Sequence, residues 1–435
     1  MKNISIAELY EKFKTCTGVS TDTRKIDEGV MFFALKGDKF NANEFAEEAL
    51  KKGAKYVIVD EPKYAVGEGC ILVNDVLYTL QKLANFHRSH LSIPFVGMTG
   101  SNGKTTSKEL VAAVLSKKYK TYYTKGNLNN HIGVPLTLLG IDDSYEIAVI
   151  EMGANHQGEI RDLCHICEPT HGFITNVGKA HLEGFGGYEG VKKGKGELFD
   201  FLEKSGGVVF INAKNDVVVE MAKSRNFREK VEYLKDNKVI MIKDSPMVLF
   251  STQAPNLDPH TYATHLPGWY NYENIAAALA IGTYFGVAIN QASDAVSAYN
   301  PDNNRSQIIE KGTNSILLDA YNANPSSMSA AIQNFINLRT EKQKVVILGD
   351  MFELGDEAPH EHYALGELVA KGNFDLVILS GKLMASALGP LPKAFYFPDK
   401  FSLHNWLLDK NIQDSFILIK GSRGMGLEST LQCFS

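Results

Sequence analysis

Residues 95–115 run strand, glycine-rich turn, helix, and no other feature constrains the fold of this chain as strongly. Phe95-Val96-Gly97-Met98-Thr99 has the near-continuous apolar character of a strand buried on both faces. It runs straight into Gly100-Ser101-Asn102-Gly103-Lys104-Thr105-Thr106, and a helical stretch through Leu110 to Leu115 follows. In such a turn backbone N–H groups close around phosphates, a lysine reaches the terminal phosphates, and a threonine hydroxyl can join a Mg²⁺ shell. The usual spacing would place a glycine at Met98; here the glycine is Gly100, so the loop is a shortened variant. Its place between strand and helix favours nucleoside triphosphate binding over a plain turn with a solvated lysine.

The same alternation recurs along the chain. Before it, Ser5-Ile6-Ala7-Glu8 has capping-box spacing, and Val30 to Leu35 and Tyr56 to Val59 read as strands flanking a helix near Glu47 to Lys52. Asn74 is the expected cap of a helix through Leu80 and Leu83 to about Arg88, and Ser89 to Pro94 reads as a boundary. After it come Ile147 to Ile150 and Gly172 to Thr175. A third block from near Arg305 holds Ile316 to Leu318, Val345 to Leu348, Leu376 to Leu379 and Phe416 to Ile419. Strands alternating with helices imply mostly parallel sheets covered on both faces, doubly wound in the third block. The 435 residues correspond to about three domains at roughly 150 residues each. We expect them at 1–90, 91–300 and 301–435.

Composition excludes several classes. Hydrophobic residues at 44% and charged residues at 22% suit a globular chain rather than a disordered one. A net charge of −5 argues against a nucleic-acid or anionic-membrane partner. No apolar run approaches the roughly 18 residues of a membrane helix. The opening MKNISIAELYEKF lacks the apolar core of a signal peptide, and five cysteines do not suit a disulfide framework. The expectation is a cytoplasmic protein.

Glu151 ends the strand Ile147 to Ile150, where a carboxylate faces the ligand crevice of a parallel sheet. His181 follows another strand end, although a lone histidine is more often structural. Cys164-His165-Ile166-Cys167 has no second cysteine pair to complete a zinc site and suits packing on a helix. His360-Glu361-His362 lacks zincin spacing and reads as a helix start after Pro359.

Together the motifs resemble the Mur ligase superfamily of ATP-dependent amide-bond-forming enzymes. The resemblance rests on the phosphate loop, Gly126 to Pro135, Glu151-Met152-Gly153, Ala180 to Glu183, Lys195 to Phe199 and Asn271 to Asn274. It continues through Asp319 to Pro325, Leu348 to Gly355 and Lys420 to Met425. It implies an α/β fold of three domains: a small N-terminal α/β domain binding a UDP-linked substrate, a central P-loop-type parallel-sheet ATPase domain, and a C-terminal Rossmann-like domain. The segments Asn127 to Asn130 and Leu348 to Gly355 point within the superfamily to addition of D-alanyl-D-alanine to UDP-N-acetylmuramoyl-tripeptide through an acyl phosphate, with ATP and Mg²⁺. The alternatives are another amino-acid ligase of the superfamily and a non-catalytic nucleotide-binding regulator.

The resemblance also implies roles. Ser20, Thr21, Asp22, Thr23, Arg24, Lys36 and Gly37 would meet the UDP end, with Asn41-Ala42-Asn43 departing from the family's Asp-Gly-His just beyond. Gly100 to Thr106 would hold the phosphates, with Lys104 on the β/γ pair and Thr105 and Glu151 on Mg²⁺. His181 would bind a second Mg²⁺. Asn271 and Asn274 would lie on the adenine side, with Asn271 also a possible helix N-cap, and Arg305 and Asp319 would reach the γ-phosphate and ribose. Lys195 matches the family's carbamylated lysine, which turns a cation into a carboxylate-like metal ligand. The glycines at 190, 194 and 196, each costing about 1 kcal/mol in a helix, suggest that something approaches that backbone closely.

Overall fold

The computed structural model describes residues 4–236, 238–253, 259–301 and 304–434. Three parallel-dominated sheets follow one another along the chain. The first holds β1 (Val19–Ser20), β2 (Met31–Phe33), β5 (Tyr56–Val59) and β6 (Cys70–Leu72) in that order, all parallel. A small hairpin, β3 (Lys36–Gly37) and β4 (Phe40–Asn41), projects from the end of β2. Helices α1 (Ile6–Phe13), α2 (Ala46–Lys51) and α3 (Val76–Ser89) accompany this sheet. The capping box at Ser5 forms as its spacing predicts. The cap of α3 is Asp75 rather than Asn74: the Asp75 carboxylate accepts from Tyr78 N at 2.7 Å, the N3 geometry that a side chain one residue earlier does not supply here.

The second sheet contains β7 (Phe95–Thr99), β8 (Thr121–Tyr123), β9 (Ile147–Glu151), β10 (His171–Ile174), β11 (Val208–Asn212) and β12 (Glu229–Tyr233). Its order, β12-β11-β10-β7-β9-β8, is parallel throughout. Residues of β7, β9 and β10 are buried along their whole length, as strands covered on both faces must be. Helices α4 (Lys104–Leu115), α5 (Gly133–Leu139), α6 (Glu159–Cys167), α7 (Leu182–Phe185), α8 (Tyr188–Ser205), α9 (Asp216–Lys223), α10 (Trp269–Tyr284) and α11 (Ile289–Ala298) surround it. An antiparallel sheet of β13 (Val239–Lys243), β14 (Leu249–Thr252) and β15 (His260–Ala263) was not expected from the sequence. Its outer strands are largely exposed; β15 carries no apolar run, and the short run Val239 to Ile242 of β13 lacks the alternation of a half-buried strand.

The third sheet runs β16-β17-β21-β18-β19-β20. The strands are β16 (Gln307–Lys311), β17 (Asn314–Asp319), β18 (Gln343–Gly349), β19 (Leu376–Ser380), β20 (Phe395–Phe397) and β21 (Ser415–Lys420), with only β16 antiparallel. With α12 (Pro325–Asn337), α13 (Ala358–Ala370) and α14 (Lys400–Lys410) this is the doubly wound arrangement anticipated for the third block. His360 and His362 fall in the first turns of α13, as expected after Pro359. Cys164 and Cys167 are buried on α6 with both sulfurs turned toward Met152 Sδ. Burial raises both thiols, Cys167 to about 12, which suits packing. Among the described residues no helix is long and apolar enough to cross a membrane.

Ser89 ends α3 and residues 90–94 lie between it and β7, yet α3 is tied to the second unit. Arg88 Nε donates to Cys167 O at 2.8 Å, and Asn85 Nδ2 donates to His165 O at 3.0 Å. Linker composition carries no trace of these contacts, because their partners lie about eighty residues away in sequence.

Candidate active site

The carboxyl ends of the second and third sheets face one cleft of about 1000 Å³. Thr99 ends β7 at the point where neighbours lie on both sides in the parallel sheet, and the phosphate loop begins there. Gly103 stands at φ +76° as the N-cap of α4, and a Cβ there would lie 2.7 Å from Asn274 Oδ1. Glycine is therefore required by both conformation and space. The loop is braced from the segment just after β10: Ser101 N donates to Asn176 O and Asn102 N to Asn176 Oδ1, each at 3.0 Å. Those two donors are occupied, so the N–H groups left to meet an anion are those of the first turn of α4, which have no intrahelical acceptor. Lys104 Nζ donates to Gly100 O at 2.7 Å and to Ser101 O at 3.4 Å. Desolvation lowers its pKa and Arg305 adds to the effect, while Glu151 opposes both.

Glu151, at the end of β9, is 1% exposed. Its carboxylate accepts from Thr105 Oγ1 at 3.1 Å and from Asn129 Nδ2 at 2.7 Å. Lys108 Nζ, fully buried, lies 3.9 Å from the same group and 2.9 Å from Glu109. Asn129 and Lys108 had no role assigned from sequence. The sequence signal for Lys108 is its position one helical turn after Lys104, on the same face of the helix.

His181 sits at φ +52°, and its Nδ1 is bonded to the Glu353 carboxylate from the third unit. That bond lowers the Glu353 pKa. It leaves Nε2 of His181 as the nitrogen available to a ligand. Lys195, on α8, is 1% exposed, whereas Lys192 is half-buried and Lys193 exposed. Its Nζ donates to Ala154 O at 3.2 Å and stands 4.9 Å from the Phe185 ring. Burial, with Lys104 adding, pushes its pKa well below the ordinary lysine value. Lys195 is absent from the cleft wall and lies behind Ala154, which does line it. The close approach suggested by the α8 glycines is real: a Cβ at Gly190 would fall 1.8 Å from Phe185 O, and one at Gly194 2.4 Å from the Phe185 ring. Gly196 is looser, with Arg225 and Met221 at 3.3 Å.

Asn271 and Asn274 are buried on α10 and bonded to each other at 3.0 Å. Asn274 Oδ1 accepts from Ser107 Oγ at 2.9 Å, so the pair clamps α10 to the phosphate-loop helix. The N-cap is Gly268 rather than Asn271; Asn271 lies two residues inside the helix and donates back to Pro267 O at 2.7 Å. Across the cleft, Arg305 stacks on Tyr321 at 3.6 Å, and Lys420 Nζ bonds Asp319 Oδ2 at 2.6 Å. Asp319 Oδ1 accepts from Ser306 N at 3.3 Å. All four of Asn271, Asn274, Arg305 and Asp319 line the same cleft as the phosphate loop.

The N-terminal set lies apart from this cleft. Ser20 ends β1, Thr21 to Arg24 follow it, and Lys36 and Gly37 form β3 just past the adjacent strand β2. Arg24 is bidentate on Asp22, which lowers the Asp22 carboxyl to about 2. Lys36 pairs with Asp60 at 3.0 Å. Asn43 is wholly buried and bonds Ala34 O and Asp60 Oδ1, so the departure from the family's pattern there serves packing.

A phosphate loop on a parallel sheet, faced by a second α/β unit with cationic and carboxylate side chains, defines a nucleotide-dependent enzyme that works between domains. The family models of the Mur ligases match along the chain: the family catalytic domain at 15–88, the middle domain at 98–282 and the glutamate ligase domain at 304–423. The chain is 34% identical to the UDP-N-acetylmuramoyl-tripeptide–D-alanyl-D-alanine ligase of Bacillus subtilis, over 95% of this chain and 92% of that one. It is 35% identical to the ligase of the same name from Escherichia coli, over 99% and 96%. Among solved structures, MurF from Acinetobacter baumannii superposes with a TM-score of 0.85 at 28% identity, covering 99% of this chain and 98% of that one. MurF from Thermotoga maritima in complex with ADP gives 0.84 at 26%, covering 97% of each. The chain belongs to the Mur ligase family.

Proposed function

We propose that this protein is an ADP-forming ligase that joins D-alanyl-D-alanine to UDP-N-acetylmuramoyl-tripeptide, in the cytoplasm, for peptidoglycan precursor synthesis. The observation that carries the reading is the single cleft in which the phosphate loop and Glu151 of one unit face Arg305, Asp319 and Lys420 of another. We assign residues 1–90 to the UDP-substrate, 91–300 to ATP and 301–435 to closure of the site.

A carboxylate does not condense with an amine in water unless it is activated. Transfer of the γ-phosphoryl group from ATP to the tripeptide carboxylate breaks the β–γ bridge and gives ADP and an acyl phosphate. The dipeptide amine then attacks the acyl carbon, loses a proton, and expels inorganic phosphate. Such transfer depends on positioning and on neutralising charge. Lys104 and Arg305 supply cations from opposite walls, and the first turn of α4 supplies N–H donors. Asn271 and Asn274 bound the adenine side, and Asp319, held by Lys420, is placed for a ribose hydroxyl.

The hydroxyl of Thr105 and carboxylate of Glu151, 3.1 Å apart and both buried, are the oxygen donors a hard dication prefers, so the residues fit Mg²⁺. Mg²⁺, when bound, would neutralise the phosphate oxygens as the acyl phosphate forms. Nε2 of His181 and a carbamylated Lys195 would serve a second ion. The buried, desolvated Lys195 amine favours the neutral form that reacts with CO₂.

The test is phosphate release with ATP and UDP-N-acetylmuramoyl-tripeptide, with and without D-alanyl-D-alanine. Release and a new peptide product that require the dipeptide are expected. ATP binding without dipeptide-dependent turnover would leave a nucleotide-binding regulator.

A further inference from the structure

We propose that Arg423 binds the C-terminal carboxylate of the incoming dipeptide, with Phe352 beside it as the apolar surface for a D-alanyl methyl group. The inference rests on the dipeptide-ligase reading above and supplies the subsite which that reading leaves unassigned.

The first argument is charge. Four cations of the two facing walls bear on the reaction: Lys104, Arg305, Lys420 and Arg423. Lys104 belongs to the phosphate loop. Lys420 is 2% exposed and committed to Asp319 at 2.6 Å and to Asn322 O at 3.1 Å, so it has no capacity for a substrate anion. Arg305 and Arg423 share one aromatic platform, at 3.6 and 5.2 Å from the Tyr321 ring centre. Two guanidiniums on one ring repel each other unless each faces an anion. Arg305 faces the phosphates. Among the described residues, no carboxylate lies within ion-pair distance of Arg423, and its side chain is exposed at the rim of the cleft. An incoming zwitterionic dipeptide brings one carboxylate, and a guanidinium fork matches that group in a bidentate fashion.

The second argument is shape and rigidity. Phe352 is 39% exposed and lines the cleft, so its ring is open to an apolar group of a bound substrate. Its backbone N donates to Ser422 Oγ at 3.0 Å, and Ser422 N donates to Asp350 O at 3.0 Å. A Cβ on Gly424 would stand 3.0 Å from Phe352 Cε2, so the ring lies against the backbone that carries Arg423. Ser422 thereby joins the Leu348–Gly355 segment to the Lys420–Met425 segment, and sets a cation and an apolar face side by side. That pairing fits a short D-alanyl peptide: one carboxylate and small methyls.

The experiment measures initial rates for wild type, Arg423→Ala and Arg423→Lys with D-alanyl-D-alanine and with D-alanyl-D-alaninamide, at saturating ATP and UDP-N-acetylmuramoyl-tripeptide. Because Arg423 is exposed, the variants should melt with the wild type. For Arg423→Ala the KM for the dipeptide should rise about tenfold or more, as expected for losing a charged partner, with the KM for ATP within about twofold. Arg423→Lys should fall between. The amide should be a poor substrate for wild type and no worse than the dipeptide for Arg423→Ala. An unchanged dipeptide KM, a parallel rise in the KM for ATP, or undiminished discrimination against the amide in the variant would each overturn the assignment. A wild-type enzyme making no dipeptide-dependent product would instead overturn the ligase reading itself.

Discussion

Lys104 and Glu151 act at opposite ends of one charge problem, and their surroundings predict different consequences of losing them. Among the described residues Lys104 Nζ hydrogen-bonds loop carbonyls alone, so Lys104→Ala removes a cation without stranding a hydrogen-bond donor. Glu151 is the shared acceptor of Thr105 and Asn129 and the neighbour of buried Lys108; Glu151→Ala leaves all three without it. Each variant should lower kcat by a factor of about 150 or more, equivalent to about 3 kcal/mol in the barrier. Differential scanning calorimetry should find only Glu151→Ala destabilised, because only there do two side-chain donors, Thr105 and Asn129, lose a buried acceptor. Lys195 allows a chemically specific test. If its amine carries a carbamate, Lys195→Ala should be nearly inactive and partly restored by acetate or another short carboxylate, whereas Lys192→Ala and Lys193→Ala should behave as wild type. A high-resolution electron-density map showing unmodified Lys195 in the fully liganded enzyme, with no rescue by acetate, would exclude it.

At the scale of elements, the central sheet carries an acid-sensitive position. His171 opens β10 beside Phe210, Tyr284 and Phe285, and desolvation, with Arg228 adding, lowers its pKa to about 4. The unfolded chain binds a proton near pH 6.5 that the folded chain refuses until about pH 4. Stability from this group is therefore complete above pH 6.5 and lost as pH falls toward 4. Between pH 7 and 4.5 the wild type should lose about 2 kcal/mol more than His171→Phe, read from urea midpoints of the central unit. The α7–α8 junction shows how much of an element's geometry sequence conveys. The glycines of α8 could be read as a close approach, because glycine in a helix is otherwise unfavourable. That Phe185, on the preceding short helix, makes the approach depends on how the chain turns at Gly186 and Gly187, both at positive φ.

Across the whole molecule, the second and third units meet through a small set of polar contacts. Lys179 Nζ pairs with Glu361 at 2.5 Å, Lys179 N donates to Ser326 Oγ at 2.8 Å, and Asn324 Nδ2 donates to Asn102 Oδ1 at 2.8 Å. His181 bonds Glu353, Glu183 N donates to Glu353 O at 3.4 Å, and the hydroxyls of Tyr270 and Ser306 meet at 3.4 Å. Polar contacts of this kind exchange readily with water, so the units should separate without nucleotide and close when both substrates bind. Small-angle scattering should show a smaller radius of gyration with an ATP analogue and the UDP-substrate. Glu361 is largely buried, so removing its partner matters more than loss of an exposed pair. Lys179→Ala should therefore need more substrate to reach the same compaction. An identical radius in all states would contradict the hinge.

The sequence alone determined the class of fold, the phosphate loop and the strand-end position of Glu151. Each of these is local: a buried strand, a turn needing glycine and a helix start are written in consecutive residues, because backbone conformation and burial period act over short spans. It also singled out Lys195 among three lysines, through resemblance and the glycines around it. What it could not reveal is pairing across distance. Ser107 meets Asn274 167 residues away, His181 meets Glu353 172 away, and Lys420 meets Asp319 101 away. Whether Asn271 caps its helix and whether Lys420 is free for a substrate both follow from such pairs. Those pairs were decided by how the sheets stack and face one another, and no local propensity encodes which surface a side chain will meet.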